Sequence, residues 1–193
     1  MLNKGGRKMT LCSTIKRILK GPTIHKLVCF VITEQTMNED MLSLKNINIE
    51  KLYKEICSKV LAIRDESVKH AFEEMSDNST VIIAEYLNEV AGHAVLKPWG
   101  IKGFQPDLWK NKNYIHYCYV DPSYRGKGIY PYMLVYLARK VFQEQSDNKI
   151  YISTDCKNCS SIRGIEKAGF KYWGTLTEYG WGGIIFFRRI RQA

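Results

Sequence analysis

The sequence predicts an α+β fold, with a mixed, mostly antiparallel sheet flanked by helices. Three observations lead there. Seven β-rich runs are interleaved with four helical periodicities in the order β, α, α, β, β, β, α, β, α, β, β. Two of the runs, 79–87 and 89–99, are separated by little more than Asn88, which calls for a hairpin. Two others, 114–120 and 149–154, flank the helical segment 131–144, and a helical crossover lets two strands pair in parallel. At 193 residues, with 45% hydrophobic and 25% charged side chains, the chain suits one soluble domain with a real core.

The elements follow in order. IHKLVCFVITEQ (24–35) reads as a strand after the turn-prone Gly21-Pro22. NIEKLYKEICSKVL (48–61) sets Leu52, Ile56 and Val60 at helical spacing. DESVKHAFEEM (65–75) reads as a second helix, with Asp65 or Ser67 near its start as a cap. The hairpin runs over 79–99, and a polar loop with Gly100, Gly103 and Pro106 follows at 100–112. YIHYCYV (114–120) is a strong strand. In 131–144, Leu134, Leu137 and Val141 share one face, and Pro131 falls in the first turn, which tolerates it. After strand 149–154, a short helix at 160–168 ends before Gly169, a suitable C′ residue. Strands 170–179 and 182–190 close the chain. The layout is a basic N-terminal arm over 1–23 and a single domain over 24–193.

The net charge of +10 is concentrated at the N-terminus. Residues 1–33 hold seven cations and no acid, leaving 22 cations against 19 acids elsewhere. The plain reading is a solvated basic arm, with contact to an anionic lipid surface or nucleic acid as the alternative; on the plain reading no nucleic-acid partner is expected. No run approaches the roughly 18 apolar residues of a membrane span, and LVCFVI (27–32) is too short and too far in for a secretory signal. Of six cysteines, Cys29, Cys57 and Cys118 sit in apolar segments as small buried thiols do. Cys156 and Cys159 form a C-x-x-C with no second ligand pair, so no metal is expected. A cytoplasmic location with reduced thiols follows.

VDPSYRGKGIYPYML (120–134) joins the end of a strand to the start of a helix. Helix N-termini carry unsatisfied N–H groups and partial positive charge. Gly126 and Gly128 allow close approach of the backbone, and Arg125 and Lys127 add positive charge. The stretch is a sensible pyrophosphate cradle.

V-D-P-x-x-R-G-x-G-I resembles the acetyl-CoA signature of the GNAT N-acetyltransferase superfamily, R/Q-x-x-G-x-G/A, through Arg125, Gly126, Lys127, Gly128, Ile129 and Tyr130. A second block, NCSSIRGIEKAGFKYWG (158–174), resembles the family's N-x-x-S-x-x-x-Y-x-K-x-G-F at Asn158, Ser161, Lys167, Gly169 and Phe170. The resemblance spans roughly 24–190 and is specific over 114–174. It implies a GNAT-like sheet with splayed central strands and acetyl-CoA as co-substrate. Pantetheine would bond main-chain groups of Cys118 and Val120, the N–H groups of Arg125 to Tyr130 would hold the pyrophosphate, and Asn158 and Ser161 would lie beside the cofactor arm. Two positions depart from the pattern. Tyr130 stands where Gly or Ala is usual, and Ile165 replaces the tyrosine that protonates departing CoA.

The resemblance implies transfer of an acetyl group to an amine. The acceptor would be a small molecule, with an amino sugar preferred. The alternative is a GNAT-fold CoA-binding module without catalysis. Such transfer needs a neutral amine and a route for protons. His116 and Asp155 are the candidate bases, with His93 behind them, and Tyr114, Tyr117, Tyr119 and Tyr151 are candidates for the missing acid. Tyr172, Trp173, Tyr179 and Trp181 would line the acceptor side or simply stabilise the last hairpin. A homodimer is left open.

Overall fold

The computed structural model describes residues 21–52, 79–99, 112–144, 148–182 and 184–193. Eight strands form one sheet: β1 (Pro22–Ile32), β2 (Ile47–Leu52), β3 (Thr80–Tyr86), β4 (Glu89–Trp99), β5 (Lys112–Val120), β6 (Ile150–Asp155), β7 (Lys171–Trp181) and β8 (Ile184–Gln192). Two helices, α1 (Ile129–Glu144) and α2 (Cys159–Lys167), follow β5 and β6 respectively. The strand order is β2-β3-β4-β5-β6-β1-β7-β8. Every pairing is antiparallel except β5 with β6. The α+β mixed sheet read from the sequence is therefore the observed one.

Most elements lie within two or three residues of expectation; two points differ, and a third lies beyond what the sequence addressed. Residues 48–52, expected to begin a helix, are strand β2, paired with β3 from Ile47↔Tyr86 to Leu52↔Val81. Ile47 and Ile49 turn inward at strand spacing and reach the core, so period two prevails over the helical spacing of Leu52, Ile56 and Val60. Residues 53–61, the predicted helix 65–75, the loop 100–111 and the arm 1–20 lie outside the described residues. The predicted arm boundary at residue 23 falls inside β1, which begins at Pro22.

The third point is the place of β1. It pairs β6 on one side and β7 on the other, deep within the sheet rather than at an edge. Its unbroken apolar run LVCFVI accounts for this, since a central strand is covered on both faces. Phe30 and Ile32 enter the main core beneath the helices, whereas Cys29 packs on the opposite face with Tyr151 and Leu176. Burial pushes the Cys29 thiol up to about 11.

The main core is filled by Met133, Leu134, Leu137, Ala138 and Val141 of α1 against Ile82, Ala94, Ile115 and Ile152 of the sheet. Short 3-10 turns at Glu34–Thr36 and Glu39–Ser43 wrap the end of α2. There Asn38 donates from its backbone N–H to Ala168 O (3.1 Å) and from Nδ2 to Lys167 O (2.9 Å). The hairpin at residue 88 is tight, with Leu87 and Asn88 both at positive φ (54° and 67°), as a type I′ turn requires.

Gly169 joins α2 to β7 at φ +99°, and a Cβ there would overlap Thr36 O and lie 2.9 Å from Asn38 N. Gly169→Ala should cost at least about 2 kcal/mol from left-handed strain and the lost clamp. Thermal melting should show a drop of about 4–8 °C. An unchanged midpoint would mean that the clamp is not structural.

Candidate active site

The site begins with a fork in the sheet. β5 and β6 pair over only three positions, Asn113↔Ile150, Tyr114↔Tyr151 and Ile115↔Ile152. Beyond them the strands part. β5 stays with β4 through a bulge between His93 and Val95, and within it Tyr117 takes φ 48°. A bulge inserts one residue and resets which side chains face which side. Tyr114 packs with the Cys29–Tyr151 cluster on the face away from the helices, while Ile115, Cys118 and Val120 belong to the helix side. At the fork, the Tyr114 hydroxyl and Ser153 Oγ are 2.5 Å apart, bridging the two strands. Burial raises the Tyr114 phenol to about 12, so it is neutral.

The loop after β5 is tied down by its own side chains. Asp121 Oδ1 accepts from Ser123 N–H (2.9 Å), Asp121 N–H donates to Ala91 O (2.8 Å), and the Tyr124 hydroxyl donates to Glu89. Arg125 Nε donates to Val120 O (3.1 Å), fixing the guanidinium beside the end of β5. Gly126 and Gly128 stand at φ +81° and +79°. Nothing crowds a Cβ at Gly126, so that position needs glycine for its conformation. A Cβ at Gly128 would also meet Leu44 Cδ1 at 2.7 Å. α1 starts directly after, with Tyr132 N–H donating to Gly128 O (3.1 Å). Helix geometry leaves the N–H groups of Ile129 and Tyr130 without intrahelical acceptors, and Pro131 has none to satisfy.

These residues form one wall of a cleft of about 590 Å³. Cys118, Val120, Arg125, Gly126, Gly128, Ile129, Tyr130, Asn158 and Ser161 all line it, so nine of the ten cofactor residues read from the sequence converge. Lys127 is the tenth. Its Nζ lies 4.9 Å from the centre of the Tyr86 ring, a cation–π contact. The cleft instead takes Arg163, which the sequence reading passed over, and Lys167, which it named as a motif position but not as a cofactor contact, one helical turn apart on α2. Their i, i+4 spacing with Asn158 at the helix start was the available signal. Asn158 Oδ1 caps α2, accepting from Ser161 N–H (3.2 Å) and Ser160 Oγ (2.9 Å). The Cys118 thiol is pushed up to about 12 by burial, so it is no thiolate nucleophile.

The candidate bases lie apart from this cleft. Asp155 ends β6, exposed, with Oδ1 accepting Lys157 N–H (2.7 Å) in a turn. His93 is fully buried, its ring 5.8 Å from that of Tyr119. His116 sits on β5 by the fork, its ring 4.4 Å from Tyr117 and 6.0 Å from Tyr114. Its Nε2 is buried and has no hydrogen-bond partner among the described residues. Burial, with Lys97 nearby, lowers its pKa to about 3, so the imidazole is neutral. Ile165 is fully buried in the main core. The aromatics of the last hairpin divide between the two faces: Tyr172 meets Phe30 edge-on at 6.2 Å, and Trp173 meets Tyr151 at 5.6 Å.

Residues 47–170 match the family model described as the acetyltransferase (GNAT) family. The chain belongs to the GNAT family. No curated protein matches the sequence. Solved structures resemble the fold at low identity. A functionally unknown conserved protein from Staphylococcus epidermidis superposes with a TM-score of 0.58 at 13% identity, covering 90% of this chain and 67% of that one. A GCN5-related glucosamine N-acetyltransferase region of a fungal multi-domain β-N-acetylglucosaminidase gives 0.58 at 13%, covering 80% of this chain and 21% of that protein. A GCN5-related N-acetyltransferase from Kribbella flavida gives 0.55 at 10%, covering 88% and 62%.

Burial makes His116 a pH-sensitive element of the fold. Its folded pKa lies below the unfolded value of 6.5, so the unfolded chain binds the extra proton between about pH 6.5 and 3. Stability should therefore fall as pH drops through that window, by at most about 1.4 kcal/mol per pH unit from this group. Urea unfolding from pH 7 to 4 should show a shallower dependence for His116→Gln than for the wild type. Parallel curves would remove His116 from the titration.

Proposed function

We propose that this GNAT protein transfers an acetyl group from acetyl-CoA to the amine of a small-molecule acceptor, with amino sugars the first class to try. One observation carries the reading: the left-handed glycines at the start of α1 open onto a cleft that also takes Cys118, Tyr119 and Val120, the end of β5 beyond its pairing with β6. A doubly charged pyrophosphate suits free N–H groups at a helix start, and Arg125, Arg163 and Lys167 supply countercharge along the rim. The amide-bearing pantetheine suits β5 where it has left β6, since main-chain groups there can pair with a ligand as with a strand. Acetyl-CoA, when bound, supplies an activated thioester at the fork.

The protein's own part is to hold and orient. The glycine loop and Asn158 fix the donor, and proximity accounts for much of the acceleration expected. Neutral His116, on β5 by the fork with its Nε2 buried outside the cleft, supports that strand rather than meeting the amine. The same burial makes it a weak base, so the amine's proton passes on to water. The free thiols of Cys29, Cys118, Cys156 and Cys159 fit a reducing compartment, and we place the activity in the cytoplasm.

A CoA-binding module without catalysis is the second reading, favoured by Ile165, whose buried side chain has no proton to give. Titration calorimetry addresses binding, and mass spectrometry of products from acetyl-CoA with an amine and amino-sugar library addresses catalysis. Arg125→Glu and Gly128→Ala should each weaken CoA binding at least about tenfold, or about 1.4 kcal/mol. Wild-type affinity weaker than millimolar would defeat both readings. Tight binding with no acetylated product from any amine would leave the module.

A further inference from the structure

The two departures from the family pattern meet in space. Tyr130 begins α1, but its ring lies across the gap against α2. A Cβ at Gly164 would overlap Cδ1 of Tyr130 and lie 2.9 Å from Cε1. The ring therefore occupies the room that only a glycine at 164 leaves. Its hydroxyl hydrogen-bonds the side chain of Ser161, one turn earlier on the same helix. Cys118 of β5 and Tyr114 at the fork are close enough to act on it electrostatically. The phenol thus lines the cleft between β5 and α2, facing the part of β5 that has parted from β6 beyond Ile115. Position 165, by contrast, has turned its side chain wholly into the core.

We infer that Tyr130 is the catalytic acid of this chain, its hydroxyl protonating the departing thiolate of CoA in place of the tyrosine missing at position 165. The inference rests on the acetyl-transfer reading. The step balances. The amine nitrogen forms a bond to the thioester carbon, the C–S bond breaks with its electron pair on sulfur, and the Tyr130 O–H proton moves to that sulfur to give the free thiol. Ser161, bonded to the phenol, returns a proton from water, and the proton lost by the amine leaves to water. Burial raises the phenol well above its ordinary value, with Cys118 adding to the effect and the Ser161 hydrogen bond opposing it. The group thus keeps its proton through the physiological range; being a weak acid, it gives that proton to sulfur only as charge develops there.

The experiment compares wild type with Tyr130→Phe, which keeps the ring packed on Gly164 and removes only the hydroxyl. Two readouts are taken. The first is the ionisation of the thiol of bound CoA, followed by the ultraviolet absorbance of the thiolate as pH is raised. A phenol donating to sulfur stabilises the thiolate, so the bound thiol should ionise at lower pH in the wild type than in Tyr130→Phe. The second is acetyl transfer, where kcat should fall about 100-fold with KM for acetyl-CoA nearly unchanged. Gly164→Ala, which expels the ring, should reproduce both effects with Tyr130 intact. Equal thiol ionisation in wild type and Tyr130→Phe, or an equal kcat, overturns the inference and leaves acetyl transfer standing. Failure of the wild type to bind CoA overturns the acetyl-transfer reading and this inference with it.

Discussion

The fork between β5 and β6 is the constraint on which the rest of the molecule depends. Two parallel strands that pair for three residues and then part leave main-chain donors and acceptors facing a gap inside a sheet. Such groups are costly unless they meet water or a ligand. The sheet therefore has to hold the fork open against its own tendency to close. β4 does so on one side, keeping β5 through a bulge and the left-handed Tyr117. β1 does so on the other, pairing with β6 across six positions from Leu27↔Asp155 to Ile32↔Ile150. β7 backs β1 in turn. The N-terminal strand is thus part of the frame of the candidate site although it lies outside the stretch that matches the family model.

That role for β1 explains where the sequence was legible and where it was not. The run LVCFVI announces a strand buried on both faces, and Cys29 and Phe30 do face opposite cores. Nothing local states which neighbours it takes, because strand order is decided by long-range pairing. The hairpin at Asn88, the crossover through α1 and the glycine after α2 were readable because each is a local event with its own chemistry: a positive-φ turn, a proline in a first helical turn, a C′ residue. Residues 48–52 misled because Ile47 and Ile49 satisfy period two while Leu52, Ile56 and Val60 satisfy period 3.6. Pairing with β3 settles the first of these over residues 47–52.

The candidate site divides along the same line. What the backbone does was legible, because φ +81° and +79° at Gly126 and Gly128 are written into the residue type. What side chains do was less so. Lys127, next to both glycines, turns away to Tyr86, while Arg163 and Lys167 arrive from α2. Charge near a cradle in sequence is not charge at the cradle in space, since successive residues of a loop point in different directions. Arg125 shows a further use of charge: its guanidinium is spent partly on Val120 O, fixing the loop to the strand it leaves.

Tyr130 and Gly164 pack as one unit, with Ile165 turned into the core beside them. A tyrosine at 130 needs a helix surface without a Cβ opposite it, and Gly164 provides that at the cost of helix propensity, on the order of 1 kcal/mol relative to alanine. Ile165, freed from presenting a phenol, fills the core beneath α2, and full burial of such a side chain is worth about 1.5–3 kcal/mol. A tyrosine at 130 opposite Gly164 therefore need not weaken the fold. It also attaches the phenol to the same short segment whose N–H groups face the cleft. On the proposals above, donor phosphate and departing sulfur would answer to adjacent residues, Ile129 and Tyr130, at one end of α1. A displacement of that helix start would alter binding and protonation together, whereas a tyrosine on α2 would let them vary separately.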